Sequence, residues 1–193
     1  MKPFFALAAA VALLSGCLSL SPAPPPSLMT LTAEQRVAPG AARSAGPGDA
    51  ITIVEPELDP ALQTQRLPVT TSDTAISYLK DALWVETPDV LFQTLLSEVV
   101  EARTGRVVLN PAQFSADPGT RVTGQLHRLE LDARTREGVI VYDAQISTSA
   151  GVRTRRFEAR VVAAAEDPQS VAAALNRAAN QIAVELSDWV VGG

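Results

Sequence analysis

The chain has one cysteine, and its neighbours specify what that thiol can do. Cys17 closes the run Leu14-Ser15-Gly16-Cys17. That is the pattern of a lipobox, the site cut by lipoprotein signal peptidase. Ser15 and Gly16 are small enough to let the backbone lie in a protease groove, and Cys17 offers a thiol for a diacylglyceryl group. Cleavage before Cys17 also frees an amino group for a further acyl chain of the palmitate type. A single chain of about fourteen carbons binds a membrane only marginally, so a durable anchor takes two or three. The preceding residues suit this reading. Met1 and Lys2 are followed by eleven unbroken apolar or alanine residues, Phe4 to Leu14. As a helix that run spans about 16 Å, half of a bilayer core of about 30 Å. It has the dimensions of a signal-peptide core, with an ordinary secretory leader as the blander alternative.

With Cys17 acylated, the remainder holds no thiol for a disulfide, a nucleophile or a cysteine metal site. His127 is the one histidine, set between Leu126 and Arg128 in a strand-like stretch. It reads as a structural or exposed strand residue. No Gly-x-Ser-x-Gly elbow supports a serine triad, and no phosphate-cradling glycine loop is present. Glu55, Glu57 and Asp59 alternate with Pro56 and Pro60, and read as a solvated turn rather than a cation loop. Asp117-Pro118-Gly119-Thr120 is turn chemistry. No catalytic residue, metal site or cofactor is expected, and the chain does not read as an enzyme. Trp84 and Trp189 lie at the edges of elements, where they serve as core or rim packing or as partner anchors.

Removing residues 1–16 from 193 leaves 177 residues, enough for one domain and a tether. Loss of Lys2 with the leader moves the formal charge from -5 to -6, and no basic block argues for nucleic acid. Residues 17–27 include Pro22, Pro24, Pro25 and Pro26 and read as an extended spacer. The folded domain is then expected over 28–191.

Within it, Ser27 to Leu31 suggests a short first strand, and Ala33 to Asp49 a loose loop. Ile51-Thr52-Ile53-Val54 is a β-branched strand. Arg66 to Thr71 and Thr74 to Leu79 form a pair joined at Ser72-Asp73. Thr87, Pro88 and Asp89 begin a helix, Leu91, Leu95 and Val99 mark its buried face, and Gly105 ends it. Arg106 to Leu109 is a strand stopped by Asn110-Pro111. Arg121 to Ala133, Gly138 to Thr148 and Val152 to Ala164 are longer strands joined by hairpins. Leu126 is out of phase with Leu129 and Leu131, which predicts a bulge near His127. Asp167-Pro168 opens a final helix with Val171, Leu175, Ala178, Ile182 and Leu186 inward. Asn176, Arg177, Asn180 and Gln181 lie on its other face. The order β-β-β-β-α-β-β-β-β-α predicts an α+β fold, a mostly antiparallel sheet with two helices on one face.

These residues together resemble the ABC-type transport auxiliary lipoprotein family, the group of PqiC-like proteins. The resemblance runs through Cys17; Ser27 to Leu31, similar to the family's Tyr-x-Leu opening; Ile51 to Pro56; the hairpin with Tyr78; and Leu83-Trp84-Val85-Glu86-Thr87-Pro88. Val122 to Leu131 and Leu186-Ser187-Asp188-Trp189-Val190 complete it. Two departures stand out: the opening aromatic is replaced near Leu28-Met29, and Leu58-Asp59-Pro60-Ala61-Leu62 follows Pro56 where a Tyr-Leu-Asp pattern is usual. The Leu58 to Leu62 spacing suits a short helical turn. The resemblance implies a fold similar to the TolB N-terminal domain. It also implies a docking role for the substrate-binding protein of a mammalian-cell-entry (MCE) transporter, which moves lipid between inner and outer membranes. Self-association of copies is compatible with it. Leu18 after the acylated cysteine, by resemblance to enterobacterial lipoproteins, implies sorting to the outer membrane with the domain in the periplasm. Two other roles stay open: a carrier binding lipid or lipopolysaccharide, and a structural envelope lipoprotein.

Overall fold

The computed structural model describes residues 27–46, 48–109 and 119–192. The lipobox, Cys17 and the proline spacer before Ser27 therefore lie outside the described residues, as do Asn110-Pro111 and Asp117-Pro118. Among the described residues eight strands and two α-helices follow in chain order. They are β1 (Ile51–Ile53), β2 (Glu57–Leu58), β3 (Arg66–Ser72), β4 (Ala75–Leu83), α1 (Pro88–Thr104), β5 (Val108–Leu109), β6 (Thr120–Asp132), β7 (Glu137–Thr148), β8 (Gly151–Val162) and α2 (Pro168–Val191). A single 3-10 turn, Pro60–Leu62, sits where the Leu58 to Leu62 spacing suggested one.

The helices start and stop for local reasons. Thr87 is extended (φ -66°, ψ 151°) and Pro88 pre-sets the first helical φ of α1, although the Thr87 hydroxyl makes no capping bond. Gly105 takes φ +70° and donates its N–H to the Glu101 carbonyl, a left-handed exit that costs little without a Cβ. α2 is capped in full: Asp167 Oδ1 accepts the Ser170 N–H at 2.9 Å, and Ser170 Oγ donates to Asp167 Oδ2 at 2.7 Å.

The sheet is mostly antiparallel, as expected, since its long ladders β3–β4, β6–β7 and β7–β8 all are, but it is not purely so: the short ladders are parallel. β6 is its axis. Along one edge β6 pairs antiparallel with all of β7, which in turn pairs antiparallel with β8. Along the other edge it takes three short parallel partners in succession, β1, β2 and β3. β5 continues the sheet beyond β1, and β4 beyond β3. The opening strand expected at Ser27 to Leu31 is reduced to one parallel bridge, Met29 to Trp84, and β2 takes its place in the count.

The bulge falls where the phase change predicted it, between Leu126 and Arg128. It turns the inward set from Val122 and Leu126 to Leu129 and Leu131, all at most 1% exposed. Both helices cover one face of the sheet. Phe92 of α1 meets Tyr142 of β7 edge-on, with ring centroids 5.2 Å apart, and Leu96, Val100, Leu175, Ala178, Ile182 and Leu186 fill the layer beside them. Gly124 is required on that face, because a Cβ there would lie 2.2 Å from the Asp143 carbonyl oxygen and 2.6 Å from the Tyr142 ring.

Candidate functional site

The chain enters the domain as a strap. Met29, Leu31 and Ala33 are buried while Leu28, Thr30 and Thr32 point out, so the strap is an extended segment with one apolar edge. Two asparagines one helical turn apart on α2 fasten it. Asn176 Oδ1 accepts the Thr32 N–H at 2.7 Å, Asn180 Oδ1 accepts the Glu34 N–H at 2.8 Å, and Asn180 Nδ2 donates to the Thr32 carbonyl at 3.0 Å. Beyond them Arg36 pairs with Glu98 of α1 at 3.1 Å. The side-chain amides thus supply the donors and acceptors of a missing neighbouring strand. Sequence reasoning set Asn180 on the polar face of α2, whereas it is 5% exposed under the strap. Asn180→Ala is expected to cost about 1–2 kcal/mol, the loss of two part-buried hydrogen bonds to the strap. Amide exchange should report it as faster opening at Thr32 and Glu34, with α1 unchanged.

The face of the sheet away from the helices is polar. His127 lies on the bulge with a carboxylate on either side: Nδ1 is 3.3 Å from Asp59 Oδ2, and Nε2 is 3.0 Å from Asp143 Oδ2. Asp59 Oδ1 also accepts from Gln125 Nε2 at 2.7 Å. Asp59 is therefore bonded to the sheet and is no free turn residue. Both ring nitrogens of His127 are directed at carboxylates, so the imidazole is held as a cross-strand link. Arg156 of β8 grips Asp143 through two bonds, Nε to Oδ1 at 2.7 Å and a terminal nitrogen to Oδ2 at 2.6 Å.

The Arg156 guanidinium, with His127 behind it, lowers the Asp143 carboxyl to about 2. That lies below the unfolded value of about 3.9, so its stabilisation is present above about pH 4 and is lost as pH falls through about 2. The Asp143 side chain is 39% exposed, and solvent screening holds the effect to about 0.5–1 kcal/mol. Asp143→Asn should accordingly weaken the domain to urea near neutral pH and leave it unchanged at the acid end.

A second cluster seals the same face nearer the β6–β7 turn. Glu130, 4% exposed, accepts from Thr70 Oγ1 at 2.7 Å and from Arg128 Nε at 2.6 Å. Asp132, 2% exposed, accepts the Arg134 N–H at 3.1 Å, and the Arg134 side chain holds its carboxyl below the usual range. Beside the His127 link is an open groove of about 820 Å³, lined by Glu55, Glu57, Arg121, Gln125, Asp143 and Arg156 among others. Among the described residues no three histidine, cysteine or carboxylate side chains are grouped to hold a metal ion. No helix there is long and apolar enough to cross a membrane.

The two tryptophans separate. Trp84 is 1% exposed and belongs to the core beside the strap. Trp189 is only partly buried, edge-on to Phe157 at 5.7 Å and beneath the Arg153 guanidinium at 5.2 Å.

This architecture places the chain among α+β domains already seen in crystals. One match, at TM-score 0.67 and 12% identity, is a crystal structure of an uncharacterized protein; it covers 83% of this chain and 99% of that one. Another is protein XCC0632 from Xanthomonas campestris, assigned to the DUF330 family, at TM-score 0.65 and 19% identity, covering 86% of this chain and 94% of the other. At these identities the likeness is one of fold. No curated protein matches the chain. The chain belongs to the family described as the ABC-type transport auxiliary lipoprotein component, whose pattern matches residues 30–187. The family is a transport auxiliary, so an association with a transporter and a membrane-anchored periplasmic setting follow from membership.

Proposed function

We propose that this protein is an envelope-anchored docking component of an MCE-type ABC transporter that moves lipid between the inner and outer membranes. In this reading residues 1–16 are removed, Cys17 carries the acyl chains at the outer membrane, and residues 17–27 form the tether of a periplasmic domain spanning 28–191. The observation that carries the reading is the family match, which runs from the strap to the last turns of α2. The geometry is consistent with it. A proline-rich spacer of eleven residues would reach about 34 Å at 3.1 Å per residue, and the strap that follows is fastened to α2. Catalysis has no part in the proposal: the domain acts by placement and contact.

Crosslinking in the cell, followed by mass spectrometry of what comes away with the tagged protein, tests it. Recovery of an MCE-domain protein together with its permease or ATPase is the expected result. Recovery of sacculus fragments or of outer-membrane assembly proteins alone would overturn it.

A further inference from the structure

We infer that the free edge of β8 is a strand-addition site for an extended, acidic segment of a protein partner; this rests on the docking role proposed above and names its surface. β8 runs from Gly151 to Val162 and pairs on one side only, with β7. Its register with β7 is continuous over all twelve residues, without a bulge or a proline. The devices that blunt most edge strands by bending or shortening them are therefore missing.

The hydrogen-bond parity of this edge follows from one bond. Ala163 N–H donates to the Arg136 carbonyl at 2.9 Å, and that pair continues the β7–β8 register. In an antiparallel ladder bonded and non-bonded pairs alternate, so the odd-numbered residues of β8 bond to β7. The N–H and C=O groups of Thr154, Arg156, Glu158 and Arg160 consequently point away from the sheet. Among the described residues none of these groups has a partner, whereas the last outward carbonyl, Val162, is met by the Arg177 side chain at 3.5 Å. A row of alternating donors and acceptors at strand spacing is satisfied by another extended backbone.

The side chains choose the charge of that backbone. Gly151 to Arg156 are all exposed and include Arg153, Arg155 and Arg156, with no acidic residue. Arg156 is neutralised by Asp143, and Arg155 meets Glu185 at 3.6 Å. Arg153 stacks on Trp189 and has no carboxylate among the described residues. An incoming strand with carboxylates at alternate positions would meet this cation and compete for Arg155, while a basic strand would be repelled. The arginines also act against indiscriminate pairing, a role that by itself predicts no binding.

The test uses the mature lipoprotein in detergent micelles and a short peptide alternating glutamate and valine, with its lysine–valine counterpart as control. The acidic peptide should slow amide exchange at Thr154, Arg156 and Glu158 about tenfold or more, and bind at least about tenfold more tightly than the lysine peptide. Thr154→Pro removes one outward donor and no β7 bond, so it should weaken binding by about tenfold. Should that variant misfold, an acidic peptide N-methylated at alternate residues carries the same expectation on the unaltered protein. Equal binding of both peptides, unchanged affinity on N-methylation, or protection of these amides by self-association without peptide would each overturn the inference. The docking role would survive such a failure if the transporter still crosslinks, and both readings would fall if it does not.

Discussion

Trp84→Ala is expected to lower the unfolding free energy by about 3–5 kcal/mol, the range for truncating a fully buried aromatic. The indole is buried in the core where β4 ends beside the strap: the Trp84 backbone N–H donates to the Gln65 carbonyl at 2.8 Å, and its backbone bridges to Met29. Loss of the ring leaves a cavity beneath the residues where the tether enters, so the strap should loosen together with the fold. The indole Nε1 is buried without a hydrogen-bond partner among the described residues. Trp84→Phe therefore sacrifices volume and no polar contact, and should cost only about 1–2 kcal/mol. Urea titrations of the two variants check both values. Equal and small effects would show that Trp84 carries less of the core than its burial implies.

Cys17→Ala is expected to abolish lipid attachment altogether. Each buried methylene contributes about 0.8 kcal/mol to membrane affinity, so removing the acceptor of two or three acyl chains is an all-or-none change. The uncleaved precursor should accumulate, with the mass of the intact leader and no acyl increment. Normal cleavage and a membrane-retained product in that variant would dispose of the lipid anchor.

How much of this was legible in the residues depended on the range of the interaction. Local chemistry read well. Thr87-Pro88, Gly105 and Asp167-Pro168 mark helix ends because caps and fixed φ act within a turn. The bulge at His127 is visible because one extra residue reverses the period-two pattern of β6. Pairing between distant segments was not legible. β2 is two residues long, Glu57–Leu58, too short for any periodicity. β1, β2 and β3 lie parallel along one edge of β6, and nothing in a strand's own alternation names its neighbour. Asn176 and Asn180 read as solvent-facing because a polar residue on a helix gives no sign that a remote strap will cross it. The Asp59–His127–Asp143–Arg156 chain stayed hidden for the same reason: Asp59 and His127 are 68 residues apart. The solitary histidine was the one available pointer, and its carboxylate neighbours emerge only from the register of β6 with β2 and β7. Cys17 was the reverse case, plain in the sequence and outside the described structure.

The central claim is that this domain works by holding a transporter. The most direct measurement is titration of the purified lipidated protein against the purified MCE-domain protein of the proposed transporter, read by size-exclusion chromatography and by saturation binding. The account predicts a saturable complex of micromolar or tighter affinity, formed without bound lipid cargo. Absence of any complex, with phospholipid or lipopolysaccharide co-purifying on the lipoprotein instead, would contradict it and make the protein a carrier in its own right.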